Sequence, residues 1–167
     1  ISYVDQSNAI GGDVAAHAAL VHNAMSALDA FLKMAANSKP PADLAAVCKP
    51  IAEAVQAVSE FRDANRRSKQ FNHLSAISEG ISFIGWVSVP MKPVPYLDEC
   101  ANSAEFYVNR VIKEFKESDP VQVQWARTWM GAIKAMVEYV TDYHRAGVTW
   151  NVKSGAAASA PASSKPA

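Results

Sequence analysis

"DVAAHAALVHNAMSALDAFLK", Asp13 through Lys33, decides the fold. Val14, Ala18, Val21, Met25, Leu28 and Leu32 step by four and three, which places them along one face of a helix. Asp13 follows Gly11-Gly12 and is the expected N-cap, because its carboxylate can accept a first-turn N–H. Ser2 to Ala9 reads as the end of a helix begun upstream.

The helical period recurs down the chain. A second stripe runs Leu44, Val47, Cys48, Ile51, Val55, Val58, with Pro50 expected to kink or break it. A third is Leu74, Ile77, Ile81, Ile84, weakened by Gly80 and Gly85. "SVPMKPVPYL" then reads as a stiff extended connection, with Pro95 opening the next helix. That helix carries Leu97, Ala101, Ala104, Val108, Val111 and Phe115. Asp119-Pro120 opens the last one, with Gln122 as the capping-box partner of Asp119. Its stripe is Trp129, Ile133, Met136, Val140, Tyr143, and Gly147 is the stop signal. No segment shows sustained strand alternation. The fold class is all-α, an antiparallel bundle.

Residues 1–152 form the expected bundle domain. From 153 to 167 the composition changes to Ala, Ser and Pro, which reads as a flexible linker with more protein to follow. The chain starts at Ile1 rather than Met, which points to a piece of a longer protein.

Half the residues are hydrophobic, enough for a core. Lys plus Arg and Asp plus Glu are 16 each, so the formal net charge is +0. That balance argues against general nucleic-acid binding, which needs a basic excess. No apolar run reaches the ~18 residues of a membrane span. Cys48 and Cys100 lack metal or redox spacing and read as reduced core residues. Nucleotide-binding, hydrolase and zinc-protease motifs are absent, and His17 and His22 are wrongly spaced for a helical metal pair. No enzyme, metal or cofactor is expected.

One basic stretch stands out. Between Phe61 and His73 lie Arg62, Arg66, Arg67 and Lys69 against a single acid, Asp63. Cations at a helix C-terminus favour its dipole, which accounts for Arg62 and Arg66. It leaves Phe71-Asn72-His73 unexplained. Either these residues cap and staple the next helix, with Phe71 in the core, or they belong to a basic rim that grips an acidic protein surface. Phe31, Phe83, Trp86 and Trp125 sit off the main stripes. They are candidates for an exposed apolar strip on an oligomerising scaffold.

"EFRDANRRSKQFNHLSAISEGI", "GWV", "KPVPYLDE", "FYVNRVIKEFK" and "YHRAGVTWN" occur in that order. Together they resemble the N-terminal helical domain of the cyclase-associated proteins, actin-monomer recycling factors, from about Val4 to Trp150. The resemblance implies a six-helix antiparallel bundle. It also implies a non-enzymatic module that binds actin together with cofilin and speeds subunit loss at filament pointed ends. The implied setting is the cytoplasm, at the actin cytoskeleton and cell cortex. Contact with adenylyl cyclase is implied only for a segment upstream of this domain, and a homodimer is possible.

Three positions depart from the family pattern: Arg67 for a common glycine, Gln70 for a common leucine, and Val94 for a common glycine. On this resemblance the expected partner-binding residues are Arg62, Asn65, Arg66, Lys69, Asn72, His73, Lys92, Pro93 and Pro95. They are expected on one face, with Asn72 and His73 as exposed contacts.

Overall fold

The computed structural model describes residues 2–161. They form α1 (Tyr3–Ile10), α2 (Gly12–Asn37), α3 (Leu44–Ala64), α4 (Phe71–Gly80), a 3-10 stretch (Ile81–Ser88), α5 (Val94–Phe115) and α6 (Pro120–Tyr143). Among the described residues this is an antiparallel bundle of six α-helices without named strands. α1 packs on α2 and α6, α2 on α3, α4 on α5, and α5 on α6. The 3-10 stretch fits between α3 and α5.

Several helix ends differ from expectation. α1 starts within the chain: Ser2 is extended and forms a reciprocal capping box with Asp5. α2 is preceded by Gly11 at φ 75°, and Asp13 caps nothing because it already lies one residue inside the helix. α3 runs unbroken through Pro50, which lies half-buried in its second turn. Losing one donor there is cheaper than ending a helix whose apolar face is already committed to the core. Asp119 caps α6 through the Val121 N–H, at 3.1 Å. Gln122 instead turns inward to His73. Val94, not Pro95, opens α5, and the proline-rich connection shrinks to residues 89–93.

The stripes are the core, with one correction on α2. Its buried set is Val14, His17, Ala18, Val21, Ala24, Leu28, Phe31 and Ala35. Val14, Val21, Leu28 and Ala35 repeat every seven residues, with His17, Ala24 and Phe31 between them. This is a narrow coiled-coil-like seam. Met25, one step off it, is 37% exposed. On α6, Tyr143 is likewise outside the core at 69% exposure. Phe31, Phe83, Trp86 and Trp125 are all buried, so the apolar strip they were expected to form does not exist. Cys48 and Cys100 are buried and free.

Two indoles bind helices through polar edges as well as apolar faces. Trp125 Nε1 donates to Ser7 Oγ at 2.9 Å, and Trp129 Nε1 to the Ala76 carbonyl at 3.0 Å. Tyr3 lies against both rings. Where Trp129 meets α4, residue 80 has no room. A Cβ there would come within 2.9 Å of the Ala104 Cβ and 3.1 Å of Trp129 Nε1.

Two buried histidines join helices in the same way. His17 Nε2 donates to the Val58 carbonyl at 2.8 Å, and its ring stacks on Phe61. His73 Nε2 donates to Gln122 Oε1 at 2.7 Å, between Phe115 and Trp125. Both Nδ1 atoms are buried without a partner among the described residues. Burial lowers both pKa values. The nearby Arg62 charge lowers His17 further, while the Gln122 bond and the Glu114 charge oppose the shift at His73.

Gly80→Ala should destabilise the fold. Better helix propensity offers about 1 kcal/mol, but overpacking against Ala104 and Ile133 costs about 1–3 kcal/mol. A lower urea midpoint at unchanged slope is the expected reading. Stability should also fall on mild acidification. Burial disfavours the charged form of each histidine in the fold, whereas the unfolded chain takes up protons near the ordinary pKa of about 6.5. The contribution is full above that value and drains as pH falls through it. His17→Gln, which keeps a donor for Val58, should flatten the urea midpoint's dependence between about pH 7.5 and 5.5.

Candidate partner-binding site

The connection from α3 to α4 is built as a rigid tip. α3 ends at Asn65, whose Nδ2 donates to the Phe61 carbonyl at 2.7 Å. The backbone then closes tight turns, Ser68 N–H to Asn65 O at 2.9 Å and Phe71 N–H to Ser68 O at 3.1 Å. Ser68 Oγ donates to Asp13 at 2.5 Å and accepts the Gln70 N–H at 3.0 Å.

Gln70 crosses to α2. Its Oε1 accepts the Val14 N–H at 3.0 Å and its Nε2 donates to the Gly11 carbonyl at 3.3 Å. The glutamine therefore does for α2 what Asp13 was expected to do, supplying an acceptor to a first-turn amide. Gly12 makes room for it: at φ 61°, a Cβ would stand 2.9 Å from Gln70 Oε1. Asp13, Ser68 and Gln70 were not among the expected site residues. Only the glycine pair before Asp13 signalled them, since the contacts span 55 to 59 residues.

The expected site residues divide by what they touch. Arg62 is largely covered, with a side chain 20% exposed, and pairs with Glu79 at 2.6 Å and Asp63 at 3.2 Å. Its charge is spent on holding α3 to α4. Asn65 is spent as the α3 cap. Arg66 is open to solvent, and its 3.3 Å pair with Asp63 is a surface bridge of about 0–1 kcal/mol, easily given up. Lys69 and its neighbour Arg67 are exposed and make no side-chain hydrogen bond or ion pair among the described residues. Asn72 is half-buried. Phe71 is also half-buried as the first residue of α4, outside the core cluster. His73 corrects the expectation: at 2% exposure it is a core residue, because its ring fills the space between Phe115 and Trp125.

Lys92, Pro93 and Pro95 lie elsewhere. Phe115, at the C-terminal end of α5, sits against His73 with ring centroids 5.5 Å apart. Pro95 is twenty residues earlier on the same helix, about 30 Å away along its axis. The two groups are thus well apart along the bundle axis rather than adjacent. At the second end Lys92 is exposed at φ 51°, Pro93 is buried, and Pro95 is exposed. Val94 does not need a glycine's freedom, since it is the first helical residue; the positive φ falls on Lys92. Tyr96 fixes this end by donating to the Ser82 carbonyl at 2.6 Å, and burial pushes its phenol up to about 12.

Among the described residues no group of three or more His, Cys, Asp or Glu side chains could hold a metal ion. No described helix is long and apolar enough to cross a membrane.

Known proteins share this sequence and shape. Residues 1–148 match the family described as CAP, N-terminal domain. The adenylyl cyclase-associated protein of Hydra viridissima is 43% identical over 93% of this chain, and adenylyl cyclase-associated protein 2 of Homo sapiens is 42% identical over 94%. In both cases the match covers 33% of the relative's length, so the chain spans about a third of these proteins. The N-terminal domain of the Dictyostelium discoideum adenylyl cyclase-associated protein superposes with a TM-score of 0.90 at 39% identity, covering 95% of this chain and 92% of that one. A second CAP N-terminal domain, for which variable oligomerisation is described, superposes at 0.89 with 38% identity, covering 95% and 87%. A fold and a sequence shared over nearly the whole bundle place this chain in the cyclase-associated protein family, as its N-terminal helical domain.

Proposed function

We propose that this domain is a non-catalytic binding module that docks on actin together with cofilin at filament pointed ends and speeds loss of the terminal subunits. The observation that carries the reading is the tip. A connection held rigid by internal hydrogen bonds leaves Arg66, Arg67 and Lys69 exposed on a chain with no net charge. A rigid loop loses little backbone entropy on docking, and the cations it carries suit carboxylates on a partner.

Roles follow from burial. Arg66 and Lys69 make the charged contacts, and Asn72 adds a directional one. Arg62, Asn65 and His73 position the tip from behind. Lys92 and Pro95, with Pro93 beneath them, make a separate second contact. The mechanism is differential binding: a module that grips the terminal subunit more tightly in its departing state shifts the equilibrium toward departure. No cofactor is needed for that. The work is cytoplasmic, at the actin cytoskeleton and cell cortex. Contact with adenylyl cyclase, which the relatives' name attributes to them, is assigned to a segment upstream of this domain.

Replacing Arg66 and Lys69 together with Ala should abolish the acceleration of pointed-end shortening in the presence of cofilin. Neither side chain supports the fold, so helicity and melting temperature should hold. Filaments that shorten at the wild-type rate with the double variant would remove the tip as the binding site.

A further inference from the structure

The chain does not leave the bundle where its composition changes at residue 153. Trp150 packs edge-on against Phe31 of α2, with centroids 5.7 Å apart. The Asn151 N–H is shared between the Ala35 and Ser38 carbonyls, at 3.2 and 3.0 Å, at the end of α2, where the Ala35 carbonyl also accepts the Ser38 N–H at 3.4 Å. After a turn at Asn151–Ser154 the backbone runs beside the α2–α3 connection. There the Lys39 N–H donates to Ala156 O at 2.9 Å and the Ala158 N–H donates to Lys39 O at 3.0 Å, a parallel bridge. Ala158 is buried at 7% exposure. Ala157, Ser159 and Pro161 form one wall of a groove of ≈ 390 Å³, whose other walls include Phe31 and Met34 of α2 and Pro50 and Ile51 of α3. The expected linker is therefore seated as far as Pro161, and residues 162–167 lie outside the described residues.

We propose that the backbone edge of the α2–α3 connection at Lys39, beside the apolar groove, is a binding site for an extended peptide of small apolar residues and proline, and that residues 154–161 are its resident ligand. Three observations carry this. Recognition runs through main-chain pairing to Lys39, as in strand addition, so it needs an extended backbone and an accessible edge rather than a particular sequence. Ser38 is extended and turns Lys39 out of the helix, leaving its N–H and carbonyl free for that edge. The side-chain filter is at position 158, where a methyl group is buried, so a longer side chain would have to rearrange its surroundings or turn out to solvent. Ala157, by contrast, only borders the groove and leaves its apolar volume open.

The segment is also built to exchange. Its bridge engages one residue of the connection, and its alanines bury little apolar surface. Segments with so few contacts open locally well before the bundle unfolds. A second peptide of the same kind can then take the place of the resident one. A bulkier apolar side chain at the position of Ala157 would reach the open volume beside Met34, a side chain that adapts its shape readily.

Amide exchange on the full chain tests this. In Ala158→Lys, and independently in Ala158→Pro, which deletes the N–H that bonds Lys39, the Lys39 amide should exchange at least tenfold faster, while the Ile133 amide in α6 stays unchanged. Adding excess synthetic peptide of residues 154–161 to Ala158→Lys should slow Lys39 exchange again; the same peptide carrying Lys for Ala158 should not. Equal Lys39 exchange in wild type and both variants, or no response of Ala158→Lys to the wild-type peptide, would overturn the proposal.

Discussion

The bundle depends on one indole. Trp129 lies at 2% exposure where α1, α4, α6 and the 3-10 stretch converge, touching Tyr3 and Phe83 and donating its N–H to the Ala76 carbonyl. A buried indole without a partner would carry a desolvation cost, and the backbone of α4 removes it. Residue 80, one turn after Ala76, lacks a side chain, and a Cβ there would crowd the indole at 3.1 Å from Nε1. The same missing Cβ lets Ala104 of α5 and Ile133 of α6 close on α4. One glycine thus marks the point of closest approach of α4 to α5 and α6.

The tip uses polar chemistry for order and leaves its charges free. Asn65, Ser68 and Gln70 spend their side chains on backbone groups or on Asp13. Arg62 is neutralised against Glu79 and Asp63. What remains for a partner is Arg66, Arg67 and Lys69. Basic composition alone would have credited Arg62 equally, since all four cations fall within eight residues of one another. Only burial separates the cation that builds the loop from the cations it displays.

The helices were legible in the sequence because burial is periodic. The α3, α4 and α5 stripes contain the residues that are buried or packed against the core. On α2 the spacing is ambiguous: Met25 and Leu32 fit a four-three count, but the seam uses Ala24 and Phe31, and alanine carries too little hydrophobicity to announce itself. The aromatic residues set off the stripes misled for a related reason. Phe83 and Trp86 lie in a 3-10 stretch with three residues per turn, so an α-helical wheel assigns them the wrong side. Caps were the least legible. Asp13 and Gln122 had the right local neighbours, but their side chains answer to Ser68 and His73, far away in the chain. Local rules cannot see a competitor that only the tertiary fold brings near.

The separation of the two candidate clusters limits how they can act. About 800 Å² per partner is typical of a stable interface, a disc roughly 30 Å across. His73, just after the tip, packs beside Phe115 at one end of α5, and Pro95 lies near the other, about 30 Å away by the helical rise. The two clusters can share a partner only at opposite rims of a standard interface, or by touching two subunits. In either arrangement no side chain of one cluster contacts the other, and sites more than about 7–10 Å apart without shared partners contribute additively to within about 0.5 kcal/mol. Combining Lys92→Ala and Pro95→Ala with the tip substitutions should therefore give a loss of binding free energy equal to the sum of the two pairs, measured by titration against cofilin-bound actin. A combined loss no greater than that of the tip pair alone would place the whole contact at the tip and leave the Lys92 end to pack the bundle.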